Sequence, residues 1–272
     1  MILQTKKLLN NNTQMPVLGL GVFRSGEKTY QAVRDALDFG YRHIDTAMIY
    51  ENEQDVGKAI KDSGVPREEI FVTTKLWNDD MRAKRVEKAF EESLKKLSME
   101  YVDLYLIHWP VKDEFVNSYK VMEKIYAKGK AKAIGVSNFQ PHHLQTLIKK
   151  CDIVPAVNQI EIHPYLTNEE VVQFCKSKNI APEAWSPIAK GKILDDPKLL
   201  SLANKYNKTV AQIAIKWHLQ RGLIVIPKSV NKSRILENSQ VFDFELNPED
   251  MKLISSLNKN IRMGSHPDTF AF

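Results

Sequence analysis

Residues 29–47, TYQAVRDALDFGYRHIDTA, hold one complete unit of the pattern that decides the fold. Ala32, Val33, Ala36, Leu37 and Phe39 recur at helical spacing and form one apolar stripe. The YRHIDTA that follows is a strand-length apolar run giving way to polar residues. Similar runs recur along the chain: VLGLGVF (17–23), IFVTTKLW (70–77), YVDLYLIHW (101–109), AKAIGVSN (131–138), AVNQIEIHP (156–164), IAPEAWSP (180–187) and GLIVIPKS (222–229). They start roughly every 24 to 31 residues until a longer gap before the last. Strand alternating with helix implies parallel pairing through right-handed crossovers. Eight such units predict an α/β fold of the closed (β/α)8 TIM-barrel type. A doubly wound open sheet is the rival, but it usually needs fewer strands and a sharper glycine fingerprint.

Working outward, KLLNNNTQMPVLGLG (7–21) offers two short apolar runs around a polar turn. It predicts an N-terminal β-hairpin able to cap the barrel floor. Between the seventh and eighth strands lie both KLLSLANKYN and TVAQIAIKWHLQR, so an extra helix is expected before the last strand. No Pro/Gly/Ser-rich linker interrupts the rhythm, and residues 1–272 read as a single domain.

Hydrophobic content of 43% and charged content of 26% suit a soluble globular protein with a sizeable core. No stretch approaches 18 uninterrupted apolar residues, and the N-terminus lacks the order of a secretion signal. Cys151 and Cys175 have neither metal nor redox spacing and read as reduced thiols of a cytoplasmic protein. The net charge of +6 fits a polyanionic small ligand or a basic surface. Lys and Arg alternate with Glu in KRVEKAFEESLKKL (84–97), the mark of a solvated helix face. Neither a nucleic acid nor a membrane is expected as partner.

In a barrel, chemistry collects at the C-terminal strand ends. Those ends supply Asp45, Lys75, His108, Ser137 with Asn138, Gln159 to His163, Trp185, and Lys228 with Ser229. An ionised Asp45 at a buried strand end needs a partner, and Lys75 on the next strand is the candidate. Beside that ammonium, the phenol of Tyr50 is expected to have a lowered pKa and to act as a general acid. A neutral His108 could orient a substrate oxygen. Two rivals use overlapping residues. A metal-dependent hydrolase would draw on His43, Asp45, Lys75, His108 and His163, yet the first and last strands add no ligand and Lys75 repels a cation. A glycosidase would need Glu161 and Glu183 as its carboxylate pair.

GLGVFRSG (19–26) has the wrong spacing for a dinucleotide loop and reads as a tight strand-one turn with its backbone near a ligand. The better nucleotide signal is IPKSVNKSRILEN (226–238), where a strand ends in Lys228 and a helix opens with Ser229 and Arg234 nearby. A helix start flanked by cations holds a phosphate well.

These motifs, taken in order with GYRHIDTAMIYENE, EAWSP and the PDTFAF tail, resemble the aldo-keto reductases over essentially the whole chain. The likeness is to the short prokaryotic and protozoan type, which includes 2,5-diketo-D-gluconate reductases, methylglyoxal reductases and a prostaglandin F synthase. The resemblance implies a barrel that binds NADPH without a dinucleotide-binding domain and reduces small aldehydes, α-dicarbonyls or activated ketones. It implies a catalytic tetrad of Asp45, Tyr50, Lys75 and His108. It implies carboxamide contacts from Ser137, Asn138 and Gln159, and stacking on Trp185 with Ser186 beside it. Lys228, Ser229 and Arg234 match a 2′-phosphate clamp, and Glu237 and Asn238 match adenine contacts. Phe23, Met48, Trp77, His108 and Trp109 would line an apolar substrate mouth. No metal is implied, and the family lean is monomer or weak dimer. The short tail after Asn260 implies an open pocket. Some relatives bind NADPH as regulatory subunits without turnover, which an intact tetrad argues against.

Overall fold

The computed structural model describes residues 5–270. A hairpin of β1 (Lys6–Leu8) and β2 (Gln14–Pro16) comes first. Eight parallel strands follow: β3 (Leu20–Gly21), β4 (His43–Asp45), β5 (Phe71–Leu76), β6 (Leu104–Ile107), β7 (Ile134–Ser137), β8 (Val157–Glu161), β9 (Ala181–Trp185) and β10 (Ile224–Val225). Each pairs with the next in chain order. Parallel bridges from Leu18 to Val225 and from Gly21 to Lys228 join the first strand to the last and close the barrel.

Helices fill the connections: α1 (Thr29–Asp38), α2 (Glu53–Ser63), α3 (Asn78–Arg82), α4 (Val86–Leu97), α5 (Phe115–Ala127), α6 (Pro141–Lys150) and α7 (Glu169–Ser177). Both α8 (Pro197–Tyr206) and α9 (Val210–Gln220) precede β10, as the long gap indicates. After β10 come α10 (Lys232–Ser239) and α11 (Pro248–Ser255). The short α3 is not signalled by apolar periodicity.

Local chemistry explains the boundaries. The α1 stripe is buried at Ala32, Val33, Ala36 and Leu37, and Gly40 at φ 93° turns the chain into β4. Asp196 caps α8 by accepting from the Lys198 and Leu199 amides, with Pro197 at the first helical position. Thr209 and Gln212 form a reciprocal capping box on α9.

Strand alternation splits the core in two. Leu104, Leu106, Phe71, Val157, Ala181 and Ile224 point inward and meet Leu9 and Met15 of the hairpin. The hairpin therefore plugs the barrel floor. Tyr105, Ile107, Val72 and Ile44 face outward against the helices. With the floor filled by apolar side chains, polar groups inside the barrel are confined to its middle and mouth. GLGVF needs a glycine for this closure: a Cβ on Gly19 would lie 2.4 Å from the His43 ring.

No helix among the described residues is long and apolar enough to cross a membrane. Cys151 and Cys175 are both free thiols.

Candidate active site

Asp45 is the last residue of β4, in register with Thr73 of β5. Lys75 stands two residues further along, on the same inward face, and reaches back down. Its Nζ donates to Asp45 Oδ1 at 2.7 Å and to the Thr46 carbonyl at 2.7 Å. The Tyr50 ring lies beside it, with its centroid 5.1 Å from Nζ. Lys75 is fully buried; burial alone would lower its pKa, but Asp45 and Tyr50 reverse the sign and raise it.

Tyr50 closes a tight turn over Met48–Tyr50, followed by Glu51 in the left-handed region at φ 57°. Asn52 pins that turn from beneath. It accepts from Thr46 Oγ1 at 2.7 Å and donates to the Val22 carbonyl at 3.0 Å and Thr29 Oγ1 at 3.2 Å. The expectation of a lowered Tyr50 pKa is corrected here. Burial pushes the phenol above its ordinary value, Lys75 recovers part of that, and Asp45 adds to the rise. Lys75 thus limits the rise without reversing it.

His108 follows β6 directly, with its ring 5.6 Å from Tyr50 and 5.2 Å from Trp77 by centroids. Burial, then Lys75, hold its pKa well below the usual histidine value, so the imidazole is neutral. Phe23 packs 4.9 Å from Tyr50 on the other side. Met48 is half-buried against the outer core. Trp109 stacks at 3.9 Å and 11° on Phe270 of the C-terminal tail.

That contact brings the end of the tail against a residue expected at the substrate mouth. The tail is short but anchored. Glu161 accepts from the Met263 and Gly264 amides, and Lys190 donates to the Met263 carbonyl at 2.6 Å. Asp268 lies 3.2 Å from His142 and 3.5 Å from His143 on α6.

At the next strand ends the side chains interlock. Ser137 donates to the Gln159 carbonyl at 2.8 Å. Asn138, left-handed at φ 65°, donates to the His108 carbonyl and to Ser137 Oγ, and accepts from Trp185 Nε1 at 2.9 Å. Gln159 spends both amide protons, on Asp45 Oδ2 at 2.7 Å and Glu183 Oε2 at 3.0 Å. What Ser137, Asn138 and Gln159 retain is acceptor capacity alone. A carboxamide NH₂, which has protons to give, fits that remainder. Ser186 follows Trp185 in the left-handed region at φ 51°.

Around β10 the phosphate expectation is refined. Asn231 already caps α10 by accepting from the Arg234 amide at 3.2 Å, and Ser229 bonds within the same turn. Lys232 is 3.5 Å from Asp35. Lys228 and Arg234 are exposed, and among the described residues neither has an ion-pair partner. Burial, and then the nearby Lys28, lower the Lys228 pKa. The fit to a phosphate therefore rests on side chains rather than on the helix end. On α10, Glu237 accepts from Thr209 at 2.8 Å and Asn238 is buried.

The donor sets of the two rivals do not converge. His43 packs against the floor, where its ring is 5.3 Å from Phe71, and His163 is turned to Glu161. Lys75 occupies the space between Asp45 and Tyr50. Glu161 holds the tail, and Glu183 is bound by Gln159. Among the described residues, only His142, His143 and Asp268 bring three metal-type ligand atoms together, away from these strand ends. Sequence reasoning missed Asn52, Lys28 and Phe270. Asn52 lies inside GYRHIDTAMIYENE, but a buried amide gives no periodic signal.

A sequence profile of the Aldo/keto reductase family matches residues 17–259. The chain is 50% identical over 266 residues to a Bacillus subtilis protein named glyoxal reductase, covering 97% of this chain and 96% of that one. It is 52% identical over 267 residues to the Trypanosoma cruzi 9,11-endoperoxide prostaglandin H2 reductase, covering 96% and 94%. A Bombyx mori aldo-keto reductase solved in complex with NADP superposes with a TM-score of 0.92 at 40% identity, over 98% and 97% of the two chains. With a closed barrel that brings Asp45, Lys75 and His108 to successive strand ends beside Tyr50, this chain belongs to the aldo/keto reductase family.

Proposed function

We propose that the protein is an NADPH-dependent reductase of small aldehydes and α-dicarbonyls, with Tyr50 as proton donor. The observation that carries this reading is the buried Lys75 ammonium, held by Asp45 and the Thr46 carbonyl and set beside the Tyr50 phenol. A phenol beside an ammonium keeps its own proton free for a substrate oxygen. Bound NADPH would supply the hydride that reduces the carbonyl carbon. Ser137, Asn138 and Gln159 would accept from its carboxamide, Trp185 with Ser186 would flank the ring, Glu237 and Asn238 would meet the adenine, and Lys228, Ser229 and Arg234 would hold the 2′-phosphate.

As charge builds on the substrate oxygen, Tyr50 gives up its proton and Lys75 stabilises the phenolate left behind. Neutral His108 orients the oxygen without competing as an acid. The mouth built from Phe23, Met48, Trp77, Trp109 and Phe270 favours compact or flat apolar carbonyl compounds. Glyoxal, named for the Bacillus subtilis relative, is the first compound to try. The reading takes residues 1–272 as one domain, working in the cytoplasm as a monomer or weak dimer.

The test is loss of nicotinamide absorbance when NADPH meets a carbonyl panel. Absence of turnover on every member, with NADPH still bound, would return the protein to the regulatory-subunit alternative. Cofactor choice gives a finer measurement. Charge-assisted hydrogen bonds to phosphate contribute about 1.5–3 kcal/mol each. Arg234→Ala should therefore weaken NADPH by roughly ten- to hundred-fold in Kd and leave NADH nearly untouched. Lys228→Met should act in the same direction, with an effect that shrinks at high salt. Titrating both cofactors against both variants decides it, since equal weakening of NADH and NADPH would remove the phosphate from this turn.

A further inference from the structure

Beneath the Lys75–Tyr50 pair lies a second carboxylate that the proposed chemistry does not use. Glu183, in the middle of β9, is fully buried and shares the Gln159 amide with Asp45. The titratable groups facing it are His43 and Asp45 from β4, Lys75 from β5 and Tyr50 from the turn. Its strand neighbours contribute neutral partners, Gln159 of β8 and Ile224 of β10. His43 adds no charge, because burial holds its pKa down to about 3.

One cation, Lys75, therefore serves two buried carboxylates, and it donates to Asp45 and to the Thr46 carbonyl, not to Glu183. Two like charges bridged by a single amide nitrogen and shut off from water cannot both persist. Burial raises the Asp45 pKa, but Asp45 has the ammonium bonded to it as well as the Gln159 amide, and both work against that rise. Glu183 Oε1 has no hydrogen-bond partner among the described residues and sits 3.6 Å from His43 Nε2, which also has none. The other His43 nitrogen, Nδ1, also has no hydrogen-bond partner among the described residues. A proton on Glu183 Oε1 would face Nε2 across 3.6 Å, so a neutral acid places a donor opposite an acceptor where an ionised one would place a second charge.

We propose that Glu183 is kept as a neutral carboxylic acid and is a positioning residue, aligning Asp45 and Lys75 on Tyr50 through the Gln159 amide. This rests on the reading of Tyr50 as proton donor. Burial, then the Asp45 charge, push the Glu183 pKa up to about 8. Above that pH a second anion faces the phenol, opposes release of its proton and disturbs the hold of Gln159 on Asp45. Carbonyl reduction should then fall on the alkaline side.

The experiment compares wild type, Glu183→Ala and Glu183→Gln. Gln can repeat the neutral acid's bonding, donating toward His43 and accepting from Gln159. Ala should lower kcat on the order of tenfold or more, the scale of a misaligned reacting group, and Gln should recover most of it at neutral pH. In wild type, kcat at saturating NADPH should decline with a midpoint near the Glu183 pKa of about 8. In Glu183→Gln that decline should move at least about one pH unit higher, and an unmoved midpoint overturns the positioning role. Melting temperature reads the protonation state without any activity. Glu183 ionises near its ordinary 4.5 in the unfolded chain and near 8 when folded, so wild-type stability should fall as pH rises between those values. Glu183→Gln lacks that loss, so its Tm advantage should widen from pH 5 to pH 8. A constant difference would mean that folded Glu183 is ionised, whether or not Tyr50 is the donor.

Discussion

Tyr50→Phe is expected to lower kcat for carbonyl reduction by about 10²–10⁴-fold, the span of general acid catalysis, while NADPH affinity stays within about twofold. Only the hydroxyl is lost. The ring keeps its contacts with Phe23 at 4.9 Å and His108 at 5.6 Å, so the mouth should hold its shape. Lys75 keeps Asp45 and the Thr46 carbonyl, so the buried ion pair should survive. Residues assigned to the cofactor lie on other strand ends, and quenching of tryptophan fluorescence on NADPH addition should persist. Single-turnover reduction under saturating NADPH is the deciding measurement. Near wild-type rates in the Phe variant would take the proton-donor role away from Tyr50.

Lys75→Met should be as damaging to turnover and should also cost stability. Removing one partner of a buried ion pair costs about 3–5 kcal/mol, because the other charge is left uncompensated. Asp45, already raised by burial, would lose the charge that pulls its pKa back down and would be protonated more readily. The Tyr50 phenol would lose the cation that limits its rise and become a weaker acid. The two effects can be separated. Adding Asp45→Asn to Lys75→Met removes the stranded carboxylate and should recover part of the lost denaturation midpoint while leaving kcat down. Recovery of activity in the double variant would show that Lys75 acts through stability alone. In wild type the Lys75 pKa is raised above 10.5, so its contribution to stability is complete below that pH. It is lost only as pH climbs through the higher folded value, and chelators should not touch it.

The eight strands, the floor hairpin and the doubled helix before β10 were legible because each depends on local pattern. Apolar periodicity, a capping residue and a turn lie within a dozen positions of one another. Asp45, Lys75 and His108 were legible as well, since a barrel sends strand-end residues to one face whatever its sequence. Other features follow from closure. Lys75 reaches Asp45 from two residues above its register, and Gln159 meets Asp45 across 114 positions, which leaves it acceptor capacity alone. Phe270 covers Trp109 because the tail is clamped by Glu161, a residue with no sequence signal for that task. The direction of the Tyr50 shift belongs here too. Adjacency to a lysine argues for a lowered phenol, but burial is a property of the closed barrel, and in this interior burial outweighs the single cation.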